Sequence, residues 1–387
     1  MRSVYLDHTA TTPLDPRVFE AMKPYFTEKF GNASSIHRFG QEARAALDLS
    51  REEIAHAIGA SGGELFFVGS GTEADNMALK GVARYMRKQR GKDHLVTSQV
   101  EHHAVLESCR TLEEEGFTVS YAGVDQSGGL DPERVISMVR PSTALVSVMH
   151  ANNEVGTINA IAEIGRRLRE RDVLFHSDAV QSFGKIPLNV REDPVDLLSL
   201  SAHKIYGPKG IGAIFIRKGV VMDRLLDGGK QERGRRAGTE NVPLAVGFAK
   251  AAQLMSQERE NEQKRMCKMR DWLLQEIQKR FPFVIVNGDP GGGLPHLLNV
   301  SFDSRKIRID GEVLLFNLDL AGIAVTSGSA CTSGSMAASH VLLAMGRDPQ
   351  TAKATIRFSL GRWTKQDDLT YVVDSLDEIV RRIGTLL

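Results

Sequence analysis

Three cysteines in 387 residues, Cys109, Cys267 and Cys331, are too few and too scattered for a disulfide framework or a metal-ligand cluster. That scarcity fits a reducing cytoplasm. Neither sign of charge is in excess, because 49 Lys and Arg meet 48 Asp and Glu for a net charge of +1. Such a balance suggests neither nucleic acid nor an anionic membrane surface as a partner. No apolar run approaches transmembrane length. The opening Met1-Arg-Ser-Val-Tyr-Leu-Asp7 is neither a signal peptide nor an Arg/Ser-rich transit sequence. No internal repeat or low-complexity tract is found. With 42% hydrophobic and 25% charged residues the balance is that of an ordinary globular protein. The length exceeds one ordinary core, so two domains are expected.

The stretch with the clearest organisation is Val195-Asp-Leu-Leu-Ser-Leu-Ser-Ala-His-Lys204-Ile-Tyr-Gly-Pro-Lys-Gly-Ile-Gly212. Its apolar start reads as a buried strand, a Gly/Pro turn covers 207–210, and Ala213–Ile216 reads as the returning strand. Lys204 therefore sits at the mouth of a buried strand beside Ser201 and His203. A lysine becomes a useful nucleophile when burial or a neighbouring cation depresses its pKa. A solvated turn lysine would give the same local sequence.

Elsewhere, helical and strand patterns alternate. Strands are predicted at Glu64–Val68, Leu95–Ser98, Thr118–Ala122, Ala144–Met149, Val173–His176, Leu197–Leu200 and Ala213–Ile216. Asp15-Pro16 opens a helix expected to reach about Phe30, Pro being favourable at the first helical position. Helices around 102–115, 131–140 and 161–171 separate several strands. This alternation indicates a largely parallel sheet, whose ligands bind beyond the C-terminal strand ends. The segment 228–239 is Gly/Arg-rich and reads as irregular. A long polar helix from Asn241 to about Arg280 leads into a second domain, with strands at 283–286, 297–302 and 356–360 and helices near 310–321, 338–345 and 366–383.

Polar residues gather where ligands are expected. Asp178 follows a strand, and could face a metal, an arginine or solvent; beside a Schiff-base lysine it could hold the pyridinium nitrogen of a pyridoxal ring. Gly69-Ser-Gly-Thr72 joins a strand to a helix. It is either an anion cradle or a tight turn with Thr72 as N-cap. His102 and His103 begin a helix, and one could stack on a planar group. Cys331 lies in Val325-Thr-Ser-Gly-Ser-Ala-Cys331-Thr-Ser-Gly-Ser335, a composition that leaves a thiol exposed and chemically available. Cys109 and Cys267 sit in helices and are expected to be structural. Arg357, in an apolar strand, needs either a bound carboxylate or an internal acid.

These residues occur together with Tyr5-Leu-Asp…Ala-Thr-Thr-Pro13, Gly31-Asn32, Gly71-Thr-Glu-Ala-Asp-Asn76, Glu101-His102, His150…Asn152-Asn-Glu-Val-Gly156, Asp178-Ala-Val-Gln181, Arg236-Ala-Gly-Thr239 and Ile356-Arg-Phe-Ser-Leu360. In this order, over almost the whole chain, they closely resemble the cysteine desulfurases of the NifS/IscS type, within the class V aminotransferase-like enzymes that use pyridoxal phosphate. The blocks around Lys204 and Cys331 are the most specific.

The resemblance implies an α/β fold of the PLP-dependent transferase (aspartate aminotransferase-like) type, with a mostly parallel seven-stranded sheet. The large domain would span 15–255, and a small α+β domain would combine 1–14 with 256–387. Lys204 would carry the cofactor covalently and relay protons. Asp178 would pair with the pyridinium nitrogen, Gln181 would face the phenolic oxygen, His102 would stack on the ring, and Asn153 would lie beside it. Gly71, Thr72, Ser201 and His203 would hold the phosphate, and Thr239 would reach the phosphate of a neighbouring protomer in a homodimer. Arg357 with Asn32 would bind the substrate carboxylate. Cys331 would take sulfur from L-cysteine as a persulfide, leaving L-alanine, and pass it to an acceptor such as an iron–sulfur scaffold protein. No resident metal is implied, only Cys331 as a transient iron–sulfur ligand. Three departures stand out: Ser70 and Ala202 replace glycines, and the chain stops at Leu387 without the longer tail that helps relatives dock the scaffold, so docking by that route is not expected. A selenocysteine lyase or aminotransferase on the same fold is the alternative; a non-catalytic scaffold is disfavoured by the presence of Lys204, Asp178, His102 and Cys331 together.

Overall fold

The apolar runs pair into one seven-stranded sheet. In the computed structural model, which describes residues 2–289, 291–328 and 337–387, the order across the sheet is Leu65–Val68, Gly212–Ile216, Leu197–Ser201, Leu174–Asp178, Thr143–Ser147, His94–Ser98 and Thr118–Ala122. Only Gly212–Ile216 runs against the others. Five of these strands are buried along their whole length, as strands covered by helices on both faces must be. On one face the helix Gly71–Arg90 packs Ala74, Met77, Ala78 and Val82 against the sheet; the core on the other includes Leu47, Ile54, Phe175, Phe215 and Phe248.

The long helix is Val242–Arg280. Its first half contributes Ala245, Phe248 and Ala252 to the core around Phe175. Its second half contributes Met269, Leu273 and Ile277 to a separate cluster with Val300, Phe302, Ile356, Phe358 and Leu376. That second cluster covers an antiparallel sheet of Val284–Asn287, Leu297–Phe302 and Thr355–Ser359. Val4 and Leu6 belong to it as well, and Val4–Tyr5 pairs in parallel with Ile323–Ala324. The N-terminal residues thus join the C-terminal ones, then cross to Lys204.

Two local expectations are corrected. The first helix ends at Met22 rather than near Phe30, and a short turn Pro24–Thr27 follows. Pro24 has no N–H to give and crowds the preceding turn, so the helix cannot run through it. The cap of the helix after Gly69 is Ser70, not Thr72: the Ser70 hydroxyl accepts from the Glu73 N–H at 3.1 Å, and the helix begins at Gly71. Among the described residues, no helix is long and apolar enough to cross a membrane.

Candidate active site

A pocket of about 420 Å³ opens where the strands Leu174–Asp178 and Leu197–Ser201 end. It is lined by Gly71, Thr72, His102, Asn153, Asp178, Gln181, Ser201, His203, Lys204 and Arg357, with Asp7, Thr9, Ala10, Asp75 and Gly328. Ten of the thirteen predicted site residues are thereby brought together. The other three are elsewhere. Asn32 is exposed and spends its side-chain oxygen on the Ser34 N–H. Thr239 is exposed beside Gly69 and Glu240 in another cleft. Cys331 lies outside the described residues, between Gly328 in the pocket wall and Ala337. A larger hollow of about 850 Å³, beside Lys88, Arg224 and Arg233, contains none of the predicted residues.

Lys204 leaves the strand Leu197–Ser201 through a single 3-10 turn. Its ammonium donates to the carbonyls of Thr9 (2.5 Å) and Ala10 (2.7 Å), on the crossing N-terminal segment. Burial, then the nearby Arg357 cation, depresses its pKa to about 8, against the pull of Asp178 and Asp7. Half-buried and held by two carbonyls, Lys204 is not placed as a freely solvated turn lysine would be.

Asp178 is buried, so it is no exposed turn residue. One of its oxygens accepts from the Val180 N–H at 2.8 Å. Burial raises its pKa to about 6, while that hydrogen bond and Lys204 hold the rise in check. Two further buried acids stand near it. Burial and the Asp178 charge raise Asp75 well above the carboxylate range, and burial raises Glu101 to about 8. Like charges crowded in a dry space cannot all ionise. Asp178, with its Val180 hydrogen bond and Lys204 nearby, is the one most favoured to carry charge. Sequence reasoning missed Asp75, although it falls on the same helix face as Gly71, one turn on.

The far wall is a polar cradle. The first N–H groups of a helix lack intrahelical partners. Here the Ser70 side chain takes that of Glu73 and its carbonyl that of Ala74, which leaves Gly71 and Thr72 at the pocket. A Cβ at Gly71 would stand 2.6 Å from Val180 Cγ2, so only glycine allows this approach. Ser201 Oγ is buried and has no partner among the described residues. His203 Nδ1 is 3.1 Å from Thr11 Oγ1, and burial lowers its pKa to about 4. Together these make a site for an anion.

Arg357 combines the two readings left open for it. Nη2 contacts the Asp7 carboxylate at 3.0 Å and Nη1 the Asn153 carbonyl at 2.9 Å. Its Nε is buried without a partner among the described residues. His102 caps its helix, Nδ1 accepting from the Ala104 N–H, and burial lowers its pKa to about 4, so the ring is neutral. Gln181 donates from Nε2 to the Thr9 carbonyl at 3.0 Å. Cys109 is buried in its helix, which pushes its thiol up to about 12 and makes it inert.

The arrangement offers an amine nucleophile, a buried acid, an anion cradle and a free guanidinium edge around one space. The chain matches the aminotransferase class-V family over residues 4–372. Cysteine desulfurase IscS of Dictyoglomus turgidum is 49% identical over 385 residues, which cover 100% of this chain and 96% of that one. The human cysteine desulfurase is 46% identical over 386 residues, covering 99% of this chain and 83% of the relative. Among solved structures, a NifS-like protein superposes with a TM-score of 0.91 at 38% identity, over 99% of this chain and 100% of its own. DndA from Streptomyces lividans superposes with a TM-score of 0.78 at 36% identity, over 93% and 98%.

Proposed function

The chain belongs to the class V aminotransferase family and, within it, to the cysteine desulfurases, and on that footing we propose that its pocket removes sulfur from L-cysteine with pyridoxal phosphate and leaves L-alanine. The observation that carries this reading is the half-buried Lys204, its pKa depressed, sharing one pocket with Asp178 and Arg357.

The residues fit the cofactor. Ser201 Oγ is a buried hydroxyl in want of an acceptor or donor, beside a helix start that only glycine can form. Gly71, Thr72, Ser201 and His203 would hold the phosphate. Asp178 would face the pyridine nitrogen: a carboxylate raised to about 6 stays ionised at neutral pH and is strongly drawn to a cation. His102, being neutral, would stack on the ring with Asn153 beside it, and Gln181 would donate to the phenolic oxygen. Once bound, pyridoxal phosphate supplies an electron sink for the charge left on the substrate carbons.

Arg357 orients the substrate by its carboxylate through the guanidinium edge that Asp7 and Asn153 leave free. Lys204 would hold the cofactor covalently through Nζ until the substrate amine displaces it, and its freed amine then takes the proton from the substrate Cα and returns protons to carbon. Cys331, as its thiolate, attacks the substrate sulfur. The sulfur–carbon bond breaks with its electron pair left on carbon, which takes a proton; the new bond is the Cys331 persulfide. Sulfur is oxidised to the sulfane level and the carbon it leaves is reduced within this one exchange, so no outside oxidant is needed, and an acceptor thiol later takes the sulfur. Segments on both sides of Cys331 meet the same carboxylate: Ser339 Oγ donates to Glu154, and Gly328 packs against that side chain.

The same reading gives a cytoplasmic homodimer in which Thr239, exposed and remote from its own pocket, serves the partner's phosphate site, with Asn32 turned to substrate on assembly. It divides the chain into 15–255, which holds the cofactor, and 1–14 with 256–387, which carries Cys331; the two hydrophobic clusters support that division. The sulfur acceptor is a thiol-bearing partner such as an iron–sulfur scaffold protein. The test is to supply purified protein with L-cysteine and a thiol and measure alanine and sulfide together. Equal yields support the reading. Product formation that requires a keto acid would replace it with amino transfer.

A further inference from the structure

Lys185 is a buried-side lysine that the chemistry above leaves unused. It lies four residues after Gln181, at the end of the turn that follows Asp178. Phe183 N–H bonds to the Ala179 carbonyl and Ile186 N–H to that of Ser182. Gly184 then takes φ +74°, and a Cβ there would stand 3.1 Å from Ile205 Cγ2 and 3.2 Å from Met255 Cβ. This left-handed step brings Lys185 back toward Gln181, and its Nζ donates to Gln181 Oε1 at 3.3 Å.

No carboxylate lies within ion-pair distance of Lys185 among the described residues. Lys185 also lines a cavity of about 40 Å³ with His8, His296 and Glu262, and both His296 ring nitrogens are buried with no partner among the described residues. The charged groups that act on Lys185 most are Lys204 and Arg357, both cations, and burial with these brings its pKa to about 7. A lysine placed among cations and imidazoles is costly unless it serves something. Among the described residues the one polar contact of its amine is the Gln181 oxygen.

That contact decides which way the Gln181 amide points. In its ammonium form, the one favoured below about pH 7, Lys185 has donors only and must meet the amide oxygen. The Thr9 carbonyl, on the other side, accepts only and must meet Nε2. Both constraints select one orientation. One Nε2 hydrogen goes to Thr9, and the second is left for the pocket.

We propose that Lys185 is a positioning residue, which locks the Gln181 amide so that a donor rather than an acceptor faces the phenolic oxygen of the bound cofactor. This rests on the assignment of Gln181 to that oxygen. Without Lys185 only the Thr9 carbonyl holds the amide, so the turned orientation, whose oxygen would repel the phenolate, is resisted by one contact instead of two.

The test is a pH titration of the visible absorbance of the loaded enzyme, with Gln181→Leu, Lys185→Met and the double variant compared to the parent. Gln181→Leu should raise the apparent pKa of the visible transition by about one to two pH units, the worth of one hydrogen bond to a charged acceptor. Lys185→Met should raise it by a smaller amount. The double variant should match Gln181→Leu alone, since residues acting through one another are not additive. Lys185→Arg, which keeps donors, should stay close to the parent, and takes the place of Lys185→Met as the informative variant if the latter does not fold: a shift as large as that of Gln181→Leu would then overturn the proposal. An unshifted Gln181→Leu would remove the underlying assignment. A shifted Gln181→Leu with an unshifted Lys185→Met, or with additive effects, would leave that assignment standing and overturn the role of Lys185.

Discussion

The depressed pKa of Lys204 should be visible in how fast the apoprotein captures pyridoxal phosphate. Only the neutral amine can attack the aldehyde carbon. An ordinary lysine at 10.5 leaves about 1 part in 3,000 neutral at pH 7, whereas one at about 8 leaves about 1 in 11. The difference is roughly 300-fold in reactive amine, or about 3.4 kcal/mol against the ammonium. The sign follows from the causes: burial and Arg357 both disfavour charge on Nζ, and Asp178 and Asp7 only partly restore it. The capture rate, followed by stopped-flow absorbance, should therefore rise about tenfold per pH unit up to about pH 8 and then level. Arg357→Met removes the neighbouring cation and should move the bend to higher pH. A rate that climbs without a bend to about pH 9.5 would mean that Lys204 is an ordinary solvated lysine, and the argument for its activation would fail.

Other outcomes follow from the same geometry. Glu101, raised to about 8 by burial, keeps a proton in the folded apoprotein that the unfolded chain loses near 4.5, so this group's contribution to stability is full below pH 4.5 and falls as pH rises to about 8. Glu101→Gln should gain on the parent across that window, by as much as about 4 kcal/mol, in urea unfolding of the apoprotein; a pH-independent difference would refute the buried acid. Arg357→Lys cannot reproduce a two-pronged contact and should weaken cysteine binding by about 2–5 kcal/mol, with far less effect on cofactor binding. Spectroscopic cysteine titrations that show no change would leave Arg357 as a partner of Asp7 only. Sedimentation and assay at matched concentrations should find activity confined to a dimer, and a fully active monomer would contradict the role given to Thr239.

The sheet was legible because its strands are short apolar runs ended by turn residues, and every strand predicted for it forms within a residue or two. The long helix was equally plain in its capped start at Asn241 and its end near Arg280. Less legible were elements whose signal is too short to register: the two-residue strands Val4–Tyr5 and Ile323–Ala324, and Ile307–Arg308 with Thr385–Leu386. Yet Val4–Tyr5 anchors the segment whose Thr9 and Ala10 carbonyls hold Lys204. Lys204, Asp178 and Arg357 stood out because charged residues at the ends of apolar strands or inside them need partners. Asp75, Glu101 and Lys185 did not stand out, since a single charged residue in a helix or turn looks solvated until the neighbours that bury it are known. Asn32 and Thr239 are exposed and lie outside the pocket, so nothing in one chain ties their polar groups to the site.

Capture of sulfur by Cys331 is the step on which the whole assignment turns. The direct measurement is intact-mass and peptide mass spectrometry of the loaded enzyme after one addition of L-cysteine, without thiol, with alanine quantified in the same sample. The account predicts one extra sulfur on the peptide holding Cys331, one alanine per captured sulfur, and neither sulfur nor turnover in Cys331→Ala, while Cys109 and Cys267 variants behave as the parent. Alanine and free elemental sulfur produced at the parent rate by Cys331→Ala, with no sulfur on any cysteine, would contradict it and leave a lyase that releases its chalcogen without a carrier thiol.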